Sequence, residues 1–335
     1  MNQTFKILWS FARGSHIVSS EISRSRRKPA KTVLATAVIA GLAATNVSAQ
    51  SWGNNKDPNT GLVTINGLTQ GVIQVTSPFD GNVTVLGDET GTISAEATVG
   101  DSSLFIARSE QVSNNYPSLT LVADTILGKS SATVASAQDG RVSFGTSDQY
   151  SKLIRLESTY TANTANATDL YSVLYNRQLF ADANVSLDLY AENVELLTDE
   201  NAMSGAQGWY GNAISGNGQG SINIHATDKV VIRGAIESLN SYEQKNGTTG
   251  IHVNINQGEN DTATVDLIGQ FINAADKSEV NIKGAAGSSI KVDYLLASAS
   301  DTTSGGVIRL AFGNESVVTA NNISAKQGGL IEISG

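Results

Sequence analysis

Cysteine is absent from the 335 residues, proline occurs only four times, and aromatic residues make up 6% of the chain. The lack of cysteine excludes disulfide bonds, thiolate catalysis and cysteine metal sites. A globular enzyme of this length normally buries more phenylalanine, tryptophan and leucine than this composition provides. A stack of short strands needs only a narrow apolar column closed by polar turns. The composition therefore favours a solenoid over a globular enzyme.

One short unit is repeated along the chain. A glycine is followed by apolar residues two and four positions later, usually with small polar residues between them. Because strand side chains alternate between two faces, the two apolar residues share one face. We interpret the glycine as the corner, since it adopts positive φ at little steric cost. The unit begins at Gly61, Gly71, Gly81, Gly91, Gly140, Gly220, Gly306 and Gly329.

The spacing of these units bears on the fold class. Gly306 and Gly329 are 23 residues apart, which is about one coil of a β-solenoid. Short, evenly spaced strands are also compatible with an antiparallel sandwich or barrel. The 23-residue recurrence, together with an N-terminal export signal, favours stacking. The prediction for residues 61–335 is all-β, a right-handed parallel β-helix that follows a cleaved signal peptide.

The first 49 residues have the layout of a signal peptide. The stretch 32–44 is uncharged and apolar, and it follows a basic cluster at 24–31. This stretch has the length of a signal-peptide core, whereas the alternative, a transmembrane anchor, needs a longer apolar run. Val47 and Ala49 place small residues at −3 and −1 of a cleavage site. We predict cleavage between Ala49 and Gln50.

The leader is longer than an ordinary signal peptide, and residues 1–28 carry a series of short motifs: Met1-Asn2, Phe5-Lys6-Ile7-Leu8-Trp9, Ala12-Arg13-Gly14, Ile17-Val18 and Ser20-Glu21-Ile22. They resemble the extended signal peptide region of type V secretion proteins, the Gram-negative autotransporters and their two-partner relatives. Ser15-His16 and Ser19 depart from the bulkier residues usual there. The resemblance implies export by the Sec machinery, passage through an outer-membrane β-barrel translocator, and a location at the outer membrane, the cell surface or outside the cell.

The net charge of the part that follows the leader is consistent with an exported chain. The leader holds seven of the 22 basic residues and one of the 31 acidic residues, so the remainder carries a net charge of −15. Such a charge argues against nucleic acid or anionic lipid as a partner. The absence of cysteine suits a chain that crosses the outer membrane unfolded, because a disulfide would close a loop beforehand.

Two segments, 158–184 and 198–219, interrupt the strand pattern. In the first, Leu170, Val173 and Leu174 have helical spacing, which predicts a short helix or loop lying on the solenoid. The second is too rich in glycine and polar residues for a strand and predicts a protruding loop. The polar stretch 50–60 is interpreted as a loose lead-in segment or cap.

The centre of the second insertion carries the candidate contact site, Trp209 and Tyr210. An exposed pair of this kind can stack on a sugar or anchor a partner protein. The alternative is that both rings pack back onto the solenoid and cover its flank.

Catalytic motifs are weak. The sequence Gly100-Asp101-Ser102-Ser103-Leu104 looks superficially like a serine nucleophile, but no histidine of the exported part precedes His225. His225 and His252 each sit off the inward column, so both are predicted to face solvent, and their spacing of 27 could stack them on adjacent coils. Two histidines without a third ligand make a poor metal site. We predict no enzyme, no metal site and no cofactor.

The resulting expectation is a cell-surface or secreted autotransporter-type passenger, and the family resemblance implies adhesion to an unknown host or bacterial ligand. The alternatives are a two-partner exoprotein and an enzymatic passenger such as a serine hydrolase. Nothing after residue 300 has the pattern of membrane-barrel strands. We therefore expect the translocator to be missing from this chain, supplied either by a longer reading frame or by a separate transporter.

Overall fold

The structure is a computed structural model of the chain. It describes residues 5–10, 15–20, 62–64, 69–70, 73–77, 81–88, 90–97, 104–109, 116–130, 133–158, 177–198, 212–239, 250–299 and 305–335.

The described residues are almost entirely β-strand. The strands are β1 (Phe5–Ser10), β2 (Ser15–Ser20), β3 (Leu62–Thr64), β4 (Thr69–Gln70), β5 (Ile73–Ser77), β6 (Asn82–Leu86), β7 (Thr92–Ala97), β8 (Phe105–Ser109), β9 (Ser118–Val122), β10 (Thr125–Ser130), β11 (Ala135–Gln138), β12 (Arg141–Phe144), β13 (Ser151–Ser158), β14 (Arg177–Thr198), β15 (Asn212–Arg233), β16 (Ala235–Leu239), β17 (His252–Ile255), β18 (Thr264–Ala275), β19 (Glu279–Gly284), β20 (Ser289–Ser298), β21 (Val307–Phe312), β22 (Val317–Ala325) and β23 (Leu330–Ser334).

The strands from β3 onward wind into coils with three flat faces. Face A holds β5, β8, β11 and β16; face B holds β3, β6, β9, β12, β17, β19, β21 and β23; face C holds β4, β7, β10 and β13. The long strands β14 and β15 pass through all three faces, and β18, β20 and β22 pass through faces C and A.

Every strand pairing within these coils is parallel among the described residues. β3 pairs with β6 and β5 pairs with β8, rather than with each other as a hairpin would require. Ile308 lies opposite Ile331, so the 23-residue recurrence is one coil. The predicted parallel β-helix is confirmed, and the sandwich alternative is wrong. The exceptions lie at the export leader, where β1 and β2 pair antiparallel and β2 lies antiparallel beside β22.

A straight column of apolar side chains fills the interior behind face B. Its members stack in register, one per coil: Val83, Leu119, Val142, Leu187, Ile222, Val253, Val280, Ile308 and Ile331. All but the last are buried, and Ile331 packs against the same core. Few aromatic residues are needed because each coil contributes only a few inward side chains. Phe105 and Phe144 form one edge-to-face pair inside, with ring centroids 5.3 Å apart.

The corner glycines fall into two groups. Gly81 has a φ of +64°, as the sequence interpretation requires. Gly306 and Gly329 do not adopt positive φ, so the interpretation is wrong for them. A Cβ on Gly306 would stand 2.1 Å from the carbonyl oxygen of Ala274, and one on Gly329 would stand 2.2 Å from that of Ala297. These two glycines are required because adjacent stretches of backbone touch there.

The two predicted insertions end earlier than the sequence indicated. β14 begins at Arg177 and β15 at Asn212, so residues 177–184 and 212–219 belong to strands. Parallel pairing satisfies backbone hydrogen bonds whatever the side chains are, which explains why a polar, glycine-rich segment still forms a strand. Gly216 also leaves room for Ile251, whose Cδ1 would stand 2.8 Å from an added Cβ. The positions with helical spacing, 170–174, lie outside the described residues, as does 50–60.

The corners between the faces differ in length. From Leu104 onward, the connection between faces B and C is described in every coil, and the longest of these connections is 256–263. The segments 159–176 and 199–211 join face C to face A, and the segment 240–249 joins face A to face B. The long connections therefore flank face A, and face B meets face C at short turns.

Candidate functional site on the outer faces

A ladder of polar side chains runs along the outside of face B. Asp188, Asn223, Asn254, Asn281 and Arg309 occupy the same register position on successive coils, between the two inward residues of each strand. We call these five residues the asparagine ladder. Asn223 Nδ2 donates to Asp188 Oδ1 at 2.6 Å, Asn254 Nδ2 to Asn223 Oδ1 at 2.9 Å, and Asn281 Nδ2 to Asn254 Oδ1 at 3.0 Å.

The hydrogen bonds of the ladder all point in one direction. Asp188 can only accept, so Asn223 must donate to it, and the next amides follow in the same sense. At the other end Arg309 Nη1 donates to Asn281 Oδ1 at 3.3 Å. The ladder is thus a head-to-tail chain with a guanidinium at one end and a carboxylate at the other. Such an arrangement polarises each amide and strengthens its neighbours' hydrogen bonds.

The Arg309 end of the ladder is a small charge cluster. Arg309 Nη1 lies 3.0 Å from Glu279 Oε2, and Arg309 Nε lies 3.0 Å from Glu332 Oε2. His252 Nδ1 is 3.6 Å from the same Glu279 oxygen. One guanidinium therefore pairs with two carboxylates, one on each neighbouring coil, so this end of face B has no surplus of positive charge.

Replacing Asn254 by aspartate will destabilise the solenoid by about 1–3 kcal/mol, the cost of a half-buried polar group left without its partner. The carboxylate cannot donate to Asn223 Oδ1 and instead places two acceptors against each other. The free energy of unfolding from urea titration measures the loss. Asn260→Asp, which makes the same charge change at an exposed corner, should alter it by less than about 0.5 kcal/mol; equal losses would contradict the role of the ladder.

A stack of rings lies outside, where face B turns towards face C. The ring of Tyr190 lies parallel to that of His225, with centroids 4.7 Å apart and planes 7° apart. Tyr150, one coil earlier, meets Tyr190 edge to face at 5.7 Å. His225 Nδ1 contacts Asp261 Oδ2 at 2.9 Å, and the Asp261 side chain is only 1% exposed. The stack links four successive coils at one corner.

These contacts change two expectations for the histidines. His225 lies off the inward column as predicted, but its side chain is only 22% exposed because Tyr190 and Asp261 cover it. His252 lies opposite Ser221 and Glu279, so the two histidines do not stack on each other. The spacing of 27 residues places His225 and His252 on adjacent coils, but it does not determine their positions along the strands. Asp261 was missed because it comes from the corner loop 36 residues beyond His225.

The two tyrosines of the stack are expected to ionise late. Burial raises the pKa of Tyr150 above its usual 10, with the charge of Asp261 adding to the effect. Burial likewise raises the pKa of Tyr190, helped by Asp188. Because the folded pKa values lie above the unfolded ones, the neutral rings stabilise the fold below pH 10, and this contribution is lost as the pH rises through the raised values. Phenolate absorbance in an alkaline titration measures this: the late component should disappear in Tyr150→Phe with Tyr190→Phe.

The residues that the sequence singled out for contact and processing lie outside the described part of the structure. This applies to Trp209 and Tyr210, to Ala49 and Gln50 at the predicted cleavage site, and to Ser102. Two residues after Tyr210, however, the chain is firmly held. Asn212 is 3% exposed and its Nδ2 donates to Glu237 Oε2 at 2.9 Å.

The described residues include no helix that is long and apolar enough to cross a membrane. No group of three or more histidine, aspartate or glutamate side chains in this part of the chain is placed to hold a metal ion.

Comparison with known proteins identifies the leader. Residues 1–49 match the model of the Extended Signal Peptide of Type V secretion system. The match ends at Ala49, the residue before the predicted cleavage point. No curated protein and no solved structure matches the chain. The resemblance of the first residues to type V leaders is therefore confirmed. The leader indicates a type V secreted protein, with Sec-dependent export across the inner membrane to the outer membrane, the cell surface or the extracellular space.

Proposed function

We propose that the exported part is a non-enzymatic binding scaffold that mediates adhesion or another surface interaction. The observation that carries the proposal is that inward and outward side chains have different roles in each coil. Inward side chains form one continuous apolar core, whereas the outward row of face B stays accessible and in register from β6 to β23. Such a solenoid offers a long, rigid surface outside its apolar core.

The partner contact is proposed to involve Trp209 and Tyr210. Both residues precede Asn212, the first residue of β15, in the sequence. Tryptophan and tyrosine supply large contact areas at low entropic cost, which is why they dominate many binding surfaces.

The experiment is an adherence assay with bacteria that display the protein through its own secretion pathway. Trp209→Ala with Tyr210→Ala should lower adherence to host or bacterial surfaces at least about tenfold, as loss of two aromatic anchors does elsewhere. Surface amount, measured with an antibody, controls for export. Tyr294→Ala, which removes an exposed ring on β20, serves as the matched control and should leave adherence unchanged. Equal adherence by all three proteins would contradict the proposed contact.

One observation favours a second candidate, an enzymatic passenger of the hydrolase type. Asp261 and His225 meet at 2.9 Å through Nδ1, the contact by which an aspartate orients a catalytic histidine. We rank this below binding because Tyr190 stacks on the imidazole. Hydrolysis of p-nitrophenyl esters that is lost in His225→Ala would favour the enzyme over the scaffold.

A two-partner exoprotein remains an alternative form of the same scaffold. The leader is shared by both branches of the family, and the proposed surface does not depend on whether the translocator is part of the same polypeptide. A transporter gene beside the coding sequence would support the two-partner form, and a continuous frame into a barrel would support the autotransporter.

A further inference from the structure

A groove of about 660 Å³ lies on face B at the Arg309 end of the asparagine ladder. Its polar lining comes from Gln257 at the corner after β17, from Asn281 and Arg309 of the ladder, and from Glu332 and Ser334 on β23. The volume falls within the about 300–1,000 Å³ of small-molecule sites.

One outward position along the groove is small. Ala311 on β21 lies along its lining, two residues beyond Arg309 on the same side of the strand. A larger side chain at this position would fill the space between the corner at Gln257 and the end of β23. The shape of the groove therefore depends on a residue that takes no part in the hydrogen-bond chain.

The charges around the groove argue against an anionic ligand. Arg309 is its only cation among the described lining residues, and it already contacts Glu279 and Glu332, each at 3.0 Å. The exported part as a whole carries a net charge of −15. A phosphate, sulfate or carboxylate would have to compete with the carboxylates of Glu279 and Glu332, which lie on the strands on either side of Arg309.

The hydrogen-bonding groups instead suit a neutral ligand that both donates and accepts. Arg309 uses Nε and Nη1 for its glutamates and for Asn281, and no bond from Nη2 occurs among the described residues. Gln257 is exposed and uses Nε2 for the carbonyl oxygen of Ile255, leaving Oε1 to accept. Glu332 and Ser334 add further acceptors and a hydroxyl. Sugar hydroxyl groups match such a mixture of fixed donors and acceptors.

We propose that this groove binds a neutral sugar unit of a surface glycan. The inference rests on the proposed binding function and specifies the class of ligand and its place on face B. The ladder contributes by holding Asn281 and Arg309 in one orientation, so little side-chain entropy is lost when the ligand enters.

The test uses the exported chain and calorimetric titration with maltohexaose, cellohexaose and chitohexaose as neutral probes. At least one of them should bind, and Ala311→Phe should abolish that binding because the ring fills the groove. Gln257→Ala should weaken it about three- to tenfold, the effect of one hydrogen bond. Ser289→Phe, an equal enlargement at an exposed position of face C, should leave affinity unchanged. Thermal unfolding of each variant checks that the solenoid is intact.

The results that would contradict the sugar site differ from those that would contradict the proposed function. Failure of all three neutral probes to bind, or equal binding by Ala311→Phe and the unaltered protein, would overturn the sugar site. Tighter binding of a heparin hexasaccharide than of any neutral probe would overturn the charge argument. If adherence persists in Ala311→Phe while Trp209→Ala with Tyr210→Ala abolishes it, the proposed function stands and only this inference falls.

Discussion

Replacing Ile222 by aspartate will unfold the coils around it, with an expected loss of about 3–5 kcal/mol for a buried charge without a partner. Ile222 is fully buried and lies between Leu187 and Val253 in the column behind face B. The carboxylate would lie among aliphatic side chains, where nothing donates to it. Because each coil stacks only on its neighbours, the damage should reach both adjacent coils. Urea unfolding and limited proteolysis both measure the effect.

Thr120→Asp is the matched control for this substitution. Thr120 lies on face B between two inward leucines, and its side chain points outward beside Thr84 and Ser143. The same charge at this position stays solvated and should cost less than about 1 kcal/mol. Comparable losses for the two variants would mean that the assignment of inner and outer positions is wrong.

Gly306→Ala should destabilise the protein by at least the upper end of the about 1–3 kcal/mol typical of overpacking. The added Cβ would lie 2.1 Å from the carbonyl oxygen and 2.3 Å from the carbonyl carbon of Ala274. Backbone atoms cannot rotate away as a side chain can, so two coils must separate or shift. The midpoint and slope of urea unfolding report the loss.

Gly81→Ala separates this steric effect from a conformational one. Gly81 has a φ of +64° and nothing within 4 Å of an added Cβ, so only the left-handed backbone opposes the change. That cost is about 1–2 kcal/mol. A loss in Gly306→Ala no larger than that in Gly81→Ala would contradict the backbone contact between coils.

The inward column was predictable because two physical rules acted together. Alternation along a strand places Ile222 and Ile224 on one face, and stacking demands the same placement on the next coil. The 23-residue recurrence at the C-terminal end then gave the coil length directly. The interpretation of the corner glycines was correct only in part. A positive φ and a close approach of backbone both require glycine, so the sequence alone does not distinguish the two causes.

The outer features were harder to predict because coil lengths vary. The asparagine ladder did leave a signal: asparagine sits between two inward residues at Asn223, Asn254 and Asn281. Its bonds span 35, 31 and 27 residues, so no fixed period reveals which residues meet. The contact of His225 with Asp261 depends on the path of a corner loop, and the groove is lined by residues that come from four different coils. Strand alternation contains none of this information.

The short turn between faces B and C has a consequence for how such a protein can change over evolutionary time. Stacked partners are separated by 45 residues where Val142 lies opposite Leu187 and by only 22 where Leu62 lies opposite Thr84, yet the inward columns stay in register. Length added to the connections beside face A therefore does not disturb the rungs that follow. Loops at those corners can be exchanged, extended or lost by recombination while the scaffold persists, so one architecture can acquire new partners without refolding its core.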